Sequence, residues 1–310
     1  MSILDRPDPH PLDFDWRFDE ESTKRIIDLF SGNTNVLCLG TPSVSTKLSG
    51  DNYILVDWHP FQTVENHLRV NINQHSPIIT NSDYVIMDPP WYLDIYFRWI
   101  SWACNSVKPN TKILFPIWPD ETRPDAINEK KQLFDWLSIW GEYSLSRNFI
   151  SYDTPYFEIL SNVKSNTKPN PRVADLVVFT FHSSPPLFDP IVNNDTWVRY
   201  VFDNYQLAIR VTDSTSSESN EKIEVQFING MKDWIWPSVS KRAIGRENIN
   251  IWSSNNEVGI VNNTQNLISL LDKAIESGFY EEDRSTLGEL INWNIPLPPY
   301  KRIIKWNQRN

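Results

Sequence analysis

Residues 82–91 read SDYVIMDPPW, a short apolar run that ends in an acid, two prolines and a tryptophan. Two other runs share this design, since NVLCLG (35–40) ends at a glycine and YILVD (53–57) ends at an acid. Continuous apolar runs of this length are typical of strands that are buried on both faces of a parallel sheet. The stretch therefore predicts one of several parallel strands, with polar side chains gathered at its carboxyl end.

Helical patterns alternate with these apolar runs. The spacing of apolar residues predicts helices over 20–31, 96–107 and 127–141, and further strands over 111–117, 156–160 and 174–181. Strands that alternate with helices favour an α/β fold, a mostly parallel sheet covered by helices on both faces. A polar loop without a helical pattern joins the last two runs, which predicts an antiparallel strand at the end of the sheet.

The segment HSSPPLFDP (182–190) is the best domain boundary, because serine and proline clusters interrupt regular structure. We predict one domain over residues 1–186 and a smaller α+β domain over 187–310, with an accessory or target-recognition role. Within the second, 204–211 and 222–228 predict a hairpin around a polar loop. Residues 264–278 predict a helix that begins at Asn263 or Thr264.

Composition limits the classes of function. The 310 residues include 29 Lys and Arg but 39 Asp and Glu, a net charge of -10, which is the wrong sign for binding a polyanion over the whole surface. Only two cysteines occur, and neither a secretory signal nor a membrane-spanning run is present, so we expect a soluble, cytoplasmic protein. The histidines show no metal-ligand spacing, and we predict no metal site.

The segment Asp88-Pro89-Pro90-Trp91 suits chemistry on an exocyclic amine. The lone pair of such an amine is delocalised into the ring, and hydrogen-bond acceptors on its two N–H bonds would make the nitrogen a better nucleophile. The Asp88 carboxylate and the Pro89 carbonyl are the two candidate acceptors, and consecutive prolines hold that carbonyl in one direction. Trp91 would stack on an extruded base. Catalysis would then rest on positioning and electrostatics.

Four places in the chain resemble a known group: WRFDEEST (16–23), LCLGTPSV (37–44), Asp57 and Asp88 to Trp91. They are similar to the N6-adenine-methyltransferase-like superfamily of amino-methyltransferases, over about residues 14–182. The resemblance implies a Rossmann-like class I methyltransferase sheet and S-adenosyl-L-methionine as cofactor. In place of a Gly-rich loop this chain has Thr-Pro-Ser.

The cofactor-binding residues that the resemblance implies are Gly40, Thr41, Ser43, Asp57, Trp58 and Asn71. The first three would let backbone approach the methionine part of the cofactor. Asp57 would accept both ribose hydroxyls, a role that an acid at the end of a second strand also has in dinucleotide folds. Trp58 would flank the cofactor adenine, and Asn71 stands where relatives usually carry an Asp that reaches the adenine amine.

Three functions are consistent with these residues. The first is methylation of adenine N6 in RNA or DNA, with nucleic acid bound by a partner protein or by basic clusters at Lys164, Lys168 and Arg172, at Lys241, Arg242 and Arg246, and at Lys301, Arg302, Lys305 and Arg309. The second is a protein lysine methyltransferase, in which Trp91 would contact the ammonium group and which the acidic surface favours. The third is an inactive binding subunit, a reading that the absent Gly-rich loop and Asn71 favour and the intact Asp88–Trp91 segment opposes.

Overall fold

The structure is a computed structural model of the chain, and it describes residues 9–13, 15–32, 34–48, 50, 52–59, 64–168, 172–191, 196–202, 205–211, 223–236, 243–277, 287–293 and 303–307. These residues form two compact units. Unit 1 contains 16–153 and 172–191, whereas unit 2 contains 9–15, 154–168 and the described residues from 196 onward. The assignment of 1–186 to catalysis and 187–310 to target recognition stays a prediction.

Unit 1 is built on a seven-stranded sheet whose strands lie in the order β3-β2-β1-β4-β5-β7-β6. The strands are β1 Val36–Leu39, β2 Tyr53–Asp57, β3 His67–Arg69, β4 Tyr84–Met87, β5 Lys112–Ile117, β6 Gly141–Ser151 and β7 Val173–Phe181. The helices are α1 Glu20–Ile27, α2 Pro42–Ser45, α3 Leu93–Cys104 and α4 Ala126–Trp140. β7 is antiparallel to both of its neighbours, and the strands from β3 to β5 are parallel. The predicted α/β fold with a late antiparallel strand is confirmed.

The order of the strands creates a topological switch point at β1. The chain runs from β1 through β2 to β3 on one side, and then returns to β4 and β5 on the other. Leu39 pairs with Val56 in β2 and with Met87 in β4. The next residues on the three strands therefore share one edge of the sheet: Gly40, Asp57 and Asp88. Ligands of open α/β sheets bind at such a switch point, beyond the carboxyl ends of the strands.

Two predictions about the end of this sheet were wrong. The run 156–160 forms part of helix α5 (Tyr156–Lys164) in unit 2, because Pro155, the N-cap residue with a φ of -67°, suits a helix start, and Phe157 and Ser161 are buried one turn apart. The strand that pairs with β7 is β6, which directly follows α4. Gly141 allows the chain to change directly from helix α4 to strand β6. The Cβ of any other residue there would clash with the Thr180 carbonyl oxygen.

Unit 2 is an antiparallel sheet with the order β10-β12-β11-β9-β8-β13, which confirms an α+β second part. Its strands are β8 Trp197–Phe202, β9 Tyr205–Arg210, β10 Val225–Gln226, β11 Ile251–Ser253, β12 Val258–Val261 and β13 Ile303–Asn307. The predicted hairpin was wrong, because β9 pairs with β8 and β11 whereas β10 pairs with β12. The polar loop between the two runs lies outside the described residues.

Helix α6 (Thr264–Ser277) confirms the predicted helix of unit 2. The side-chain oxygen of Asn263 accepts a hydrogen bond from the backbone N–H of Asn266 at 2.9 Å, as an N-cap residue does. Residues 9–13 also belong to this unit, in which the buried His10 ring bonds the Trp252 carbonyl oxygen at 2.9 Å. None of the helices in the described part of the chain is long and apolar enough to cross a membrane.

Candidate active site

The Asp88–Trp91 segment forms a tight turn between β4 and α3. Its first backbone N–H donates to the Leu39 carbonyl oxygen at 3.2 Å, which ties Asp88 to the end of β1. The turn closes when the N–H of Tyr92 donates to the Pro90 carbonyl oxygen at 2.7 Å, and α3 begins one residue later. The acid and both prolines thus lie at the switch point, where the sequence predicted them.

A residue that the sequence did not indicate contacts Asp88. The hydroxyl of Tyr152, just after β6, donates to Oδ1 of Asp88 at 2.9 Å. Burial, and then the charge of Asp88, raises the pKa of Tyr152 well above its ordinary value, so the hydroxyl stays protonated. This tyrosine was missed because β6 itself was not predicted, although the alternation in residues 141–151 was a signal for it.

Three planar side chains gather beside the turn. The guanidinium carbon of Arg172 lies 3.3 Å from the ring centroid of Trp16 and 5.3 Å from that of Trp91. The Trp91 ring also meets Tyr152 edge to face, with centroids 5.8 Å apart and an interplanar angle of 77°. Arg172 was predicted in a basic loop, and the structure brings it to the Trp91 ring instead.

The β1 turn is shaped by packing within the protein. Gly40 has a φ of +62°, and a Cβ there would lie 2.9 Å from the ring of Trp99, so both the backbone and the neighbour require glycine. Thr41 is buried, and its hydroxyl approaches the Ile86 carbonyl oxygen at 3.5 Å. Ser43 is half-buried in the four-residue helix α2. Of these three residues, Gly40 and Ser43 are partly exposed at the edge, and Thr41 is buried.

Asp57 lies at the carboxyl end of β2 and is 8% exposed. Its Oδ1 accepts from the backbone N–H of His59 at 2.8 Å and lies 3.1 Å from the His59 ring nitrogen Nδ1. The next residue, Trp58, has its ring 4.7 Å from the guanidinium carbon of Arg69. The predicted ribose acid is therefore at the expected edge, and its carboxylate is oriented by the turn that follows.

Asn71 begins a loop that α3 holds in place. Its side-chain oxygen accepts from the backbone N–H of Asn73 at 3.1 Å, and the Asn73 side-chain oxygen accepts from the Trp99 indole at 2.8 Å. The buried Arg98 donates to the carbonyl oxygens of Ile72 and His75, at 3.1 and 2.6 Å. The Asn71 side chain thus supports its own turn, and the loop packs against the same helix that follows Trp91.

The other predicted basic residues are dispersed. Lys164 forms an ion pair with Asp233 in unit 2, and the guanidinium carbon of Arg246 lies 5.0 Å from the Trp252 ring centroid. The side chains that lie outside the described residues are those of Lys241, Arg242, Lys301, Arg302, Lys305 and Arg309. Within the described part of the chain, no cluster of three or more His, Cys, Asp or Glu could hold a metal ion.

A cavity of about 200 Å³ lies at the opposite edge of the unit 1 sheet. It is lined by Asn35, Val36, Asn52, Tyr53, Ile54, Asn81 and Ser82. These residues lie at the amino ends of β1, β2 and β4, and ligands of open α/β sheets bind at the carboxyl ends. The cavity is therefore separate from the Asp88 turn.

No protein-family model and no curated protein matches the sequence. Among solved structures, the chain is similar to the branched-chain polyamine synthase C9 mutein from Thermus thermophilus, with a TM-score of 0.49, 12% identity and coverage of 61% of this chain and 64% of that chain. It is also similar to the T. thermophilus 16S rRNA N2 G1207 methyltransferase, with a TM-score of 0.34, 8% identity and coverage of 69% and 55%. A third match, a putative class I S-adenosylmethionine-dependent methyltransferase from Listeria monocytogenes, has a TM-score of 0.36, 12% identity and coverage of 58% and 64%.

The chain thus spans just under two thirds of the length of the polyamine synthase that it matches. Similarity at these identities concerns the fold and assigns no substrate. The chemistry of the site has to be argued from the residues of this chain.

Proposed function

We propose that this protein is an S-adenosylmethionine-dependent methyltransferase that acts on an exocyclic amine, with adenine N6 in RNA or DNA as the acceptor. The observation that carries the proposal is the shared edge of Gly40, Asp57 and Asp88, which follow paired residues on β1, β2 and β4. At that edge the Asp88–Trp91 turn leads directly from strand to helix. A nucleoside cofactor and an amine acceptor would meet there.

The residues at the edge suit such a cofactor. A buried carboxylate at the end of β2 supplies the acceptor that a ribose diol needs, and the backbone N–H of His59 orients it. Asp57 and Asp88 are separated by one strand, which places them about 10 Å apart, the scale of a nucleoside with its 5′ substituent. Gly40, Thr41 and Ser43 would lie along the methionine part, with Trp58 and Asn71 beside the adenine.

Bound S-adenosylmethionine would supply an electrophilic methyl group: its methyl–sulfur bond would break as the nitrogen–methyl bond forms, S-adenosylhomocysteine would leave, and the nitrogen would lose one proton to water. The work of the protein would then be to prepare the acceptor nitrogen. The Asp88 carboxylate would accept one amine N–H and the Pro89 carbonyl the other, which favours a pyramidal nitrogen with an available lone pair. Because the turn is held by backbone hydrogen bonds to Leu39 and Tyr92, these acceptors keep their direction during the reaction.

Arg172 and Trp16 favour a nucleobase over a lysine as the acceptor. The Trp91 ring has the Arg172 guanidinium 5.3 Å from its centroid, and that guanidinium stacks on Trp16. A planar base stacks on tryptophan and on guanidinium planes. An ammonium group at Trp91 would share the ring with a cation that is already there. Unit 2 would contribute to target recognition.

Transfer of labelled methyl groups tests the proposal. The full chain is incubated with methyl-labelled S-adenosylmethionine and with total RNA, denatured genomic DNA or a mixture of proteins as acceptor. We expect label in a nucleic acid fraction, recovered as N6-methyladenine after hydrolysis. Asp88→Ala should abolish the label, whereas Asp94→Ala, which removes an exposed acid in the first turn of α3, should retain it.

The other possible results of this experiment contradict different parts of the proposal. Label in protein alone would contradict the adenine acceptor and favour the lysine alternative. A folded protein that binds the cofactor but labels no acceptor would contradict catalysis and favour a binding subunit. Equal activity of Asp88→Ala and the wild type would contradict the role of the Asp88 turn.

A further inference from the structure

Tyr152 links the two side chains on which the proposed acceptor depends. Its hydroxyl donates to Oδ1 of Asp88 at 2.9 Å, and its ring meets the Trp91 ring edge to face, with centroids 5.8 Å apart. The tyrosine is 6% exposed, so both contacts lie away from bulk water. Asp88 and Trp91 are thereby connected through one buried side chain as well as through the backbone of the turn.

The Tyr152 hydroxyl is the donor in its contact with Asp88, and Oδ1 is the acceptor. An accepting carboxylate oxygen is also what the proposed contact with an amine N–H requires.

The ring of Tyr152 is itself held on two sides. Its backbone N–H donates to the Arg172 carbonyl oxygen at 3.0 Å, and the residue forms an antiparallel bridge with Phe18. The Phe18 and Tyr152 ring centroids are 5.3 Å apart. A hydroxyl supported in this way can fix the plane of a carboxylate, because its own position does not depend on the acceptor.

We propose that Tyr152 is a positioning residue for the methyl acceptor: it holds the Asp88 carboxylate and the Trp91 ring in the mutual arrangement that grips an amine N–H and stacks the base that carries it. The proposal rests on the proposed function, whose reaction it serves. It names a residue outside the Asp88–Trp91 segment, supplied by the end of β6.

Tyr152→Phe tests this role, because it removes the hydroxyl and keeps the ring. Rates of methyl transfer are measured with the RNA or DNA fraction that the wild type labels, together with calorimetric titration of S-adenosylhomocysteine and thermal unfolding. We expect kcat to fall about 10- to 100-fold, the size of effect expected for a group that orients a catalytic side chain. The acceptor KM and the cofactor Kd should change less than about threefold.

Tyr200→Phe is the matched control. Tyr200 is fully buried in unit 2, and its hydroxyl donates to Oδ1 of Asp272 at 2.8 Å, the same contact at a place without the Asp88 turn. Its removal should lower the unfolding temperature and leave kcat unchanged. If Tyr152→Phe does not fold, Trp91→Phe is the second variant: it reduces the ring that meets Tyr152 edge to face, and it should also lower kcat.

The outcomes separate this inference from the proposed function. An active wild type with an equally active Tyr152→Phe would overturn the positioning role and leave the methyltransferase intact. A loss of kcat in Tyr200→Phe as large as that in Tyr152→Phe, in step with the fall in unfolding temperature, would overturn it as well. A wild type that transfers no methyl group to RNA, DNA or protein contradicts the proposed function itself.

Discussion

The described part of the chain contains two pairs in which a buried tyrosine donates to an aspartate, one in each unit, and we assign them different roles. In unit 1 Tyr152 donates to Asp88 at the carboxyl edge of the parallel strands, next to a switch point. In unit 2 the hydroxyl of Tyr200 in β8 shares its one proton between Asp272 of α6, at 2.8 Å, and the Ile268 carbonyl oxygen, at 3.1 Å. The second pair fastens a helix to a sheet. We therefore assign different roles to the two tyrosine–aspartate hydrogen bonds according to their positions in the fold.

Two other buried polar side chains of unit 2, Glu257 and Asn256, resemble the Tyr200 pair in bonding to groups of their own unit. Glu257 accepts from the Ser253 hydroxyl at 2.7 Å and from the Tyr205 hydroxyl at 3.2 Å, so its carboxylate is held within the turn between β11 and β12. Asn256 in the same turn donates to the Trp236 carbonyl oxygen at 2.8 Å and accepts from the Trp252 indole at 2.9 Å. These residues satisfy one another, as buried polar groups of a scaffold do.

The largest expected effect separates the two aspartates. Asp88→Ala should reduce methyl transfer by at least about 10²- to 10³-fold, because it removes an acceptor that acts on the reacting amine. Asp272→Ala should leave transfer unchanged and lower the free energy of unfolding of the protein. Transfer assays and urea unfolding of both variants check this prediction. Equal methyl-transfer activities of the two variants would contradict the different roles of Asp88 and Asp272.

Within unit 1, the two acids of the edge should also differ. Asp57→Ala should weaken binding of S-adenosylhomocysteine about 100-fold, since hydrogen bonds to a charged group contribute about 1.5–3 kcal/mol each. Asp88→Ala should leave the Kd within about threefold of the wild type. Titration calorimetry measures both, and a reversal of the two effects would mean that the roles have been exchanged.

A buried acid of unit 2 should affect stability without affecting catalysis. Burial raises the pKa of Glu257 from 4.5 to about 7. The unfolded chain therefore loses this proton at lower pH than the folded one, so the contribution of Glu257 to stability is present below about pH 4.5 and lost as the pH rises through 7. The loss amounts to about 2–3 kcal/mol.

Glu257→Gln should remove this part of the pH dependence, because glutamine does not titrate. Urea unfolding of both proteins between pH 4.5 and 8 gives the difference. Taking the difference cancels the contribution of His10, whose burial lowers its pKa to about 3 and which acts in the opposite direction. Parallel stability curves for the two proteins would show that Glu257 ionises as freely in the folded state as in the unfolded one.

The smallest expected effect concerns the glycine of the edge. Gly40→Ala and Gly50→Ala both place a side chain at positive φ, +62° and +70°, which costs about 1 kcal/mol. Only at Gly40 would the new Cβ meet a neighbour, the ring of Trp99 at 2.9 Å. Gly40→Ala should therefore destabilise by about 1–2 kcal/mol more than Gly50→Ala in urea unfolding. Equal losses would mean that the Trp99 ring moves aside.

The parts of the fold that the sequence predicted are those with a local signal. β1, β2, β4 and β5 are apolar runs because they are buried on both faces, and α4 and α6 are long enough to show a helical period. β6 was missed because it is an edge strand whose side chains are mostly exposed. The strand predicted over 156–160 was wrong because five residues fit both the helical and the strand period. Pro155 and the burial of Phe157 favour a helix there.

The residues of the candidate site also fall into two groups, those with a local signal in the sequence and those without one. Gly40, Asp57 and the Asp88–Trp91 turn were predicted because each directly follows a strand in the sequence. Tyr152 and Arg172 could not be found in that way, since they reach the site through the pairing of β6 with β7, and their backbones are joined by a hydrogen bond of 3.0 Å. The alternation in residues 141–151 indicates a strand, but it does not indicate which strand pairs with it.

Calorimetric titration of the full chain with S-adenosylhomocysteine tests the central claim most directly. The edge formed by Gly40, Asp57 and Asp88 predicts micromolar binding to the wild type and to Asp88→Ala, and its loss in Asp57→Ala. Circular dichroism and thermal unfolding establish that each protein is folded. The absence of binding to folded wild-type protein would contradict the claim that this edge is a cofactor site, and an equal loss in both variants would contradict the division of roles between Asp57 and Asp88.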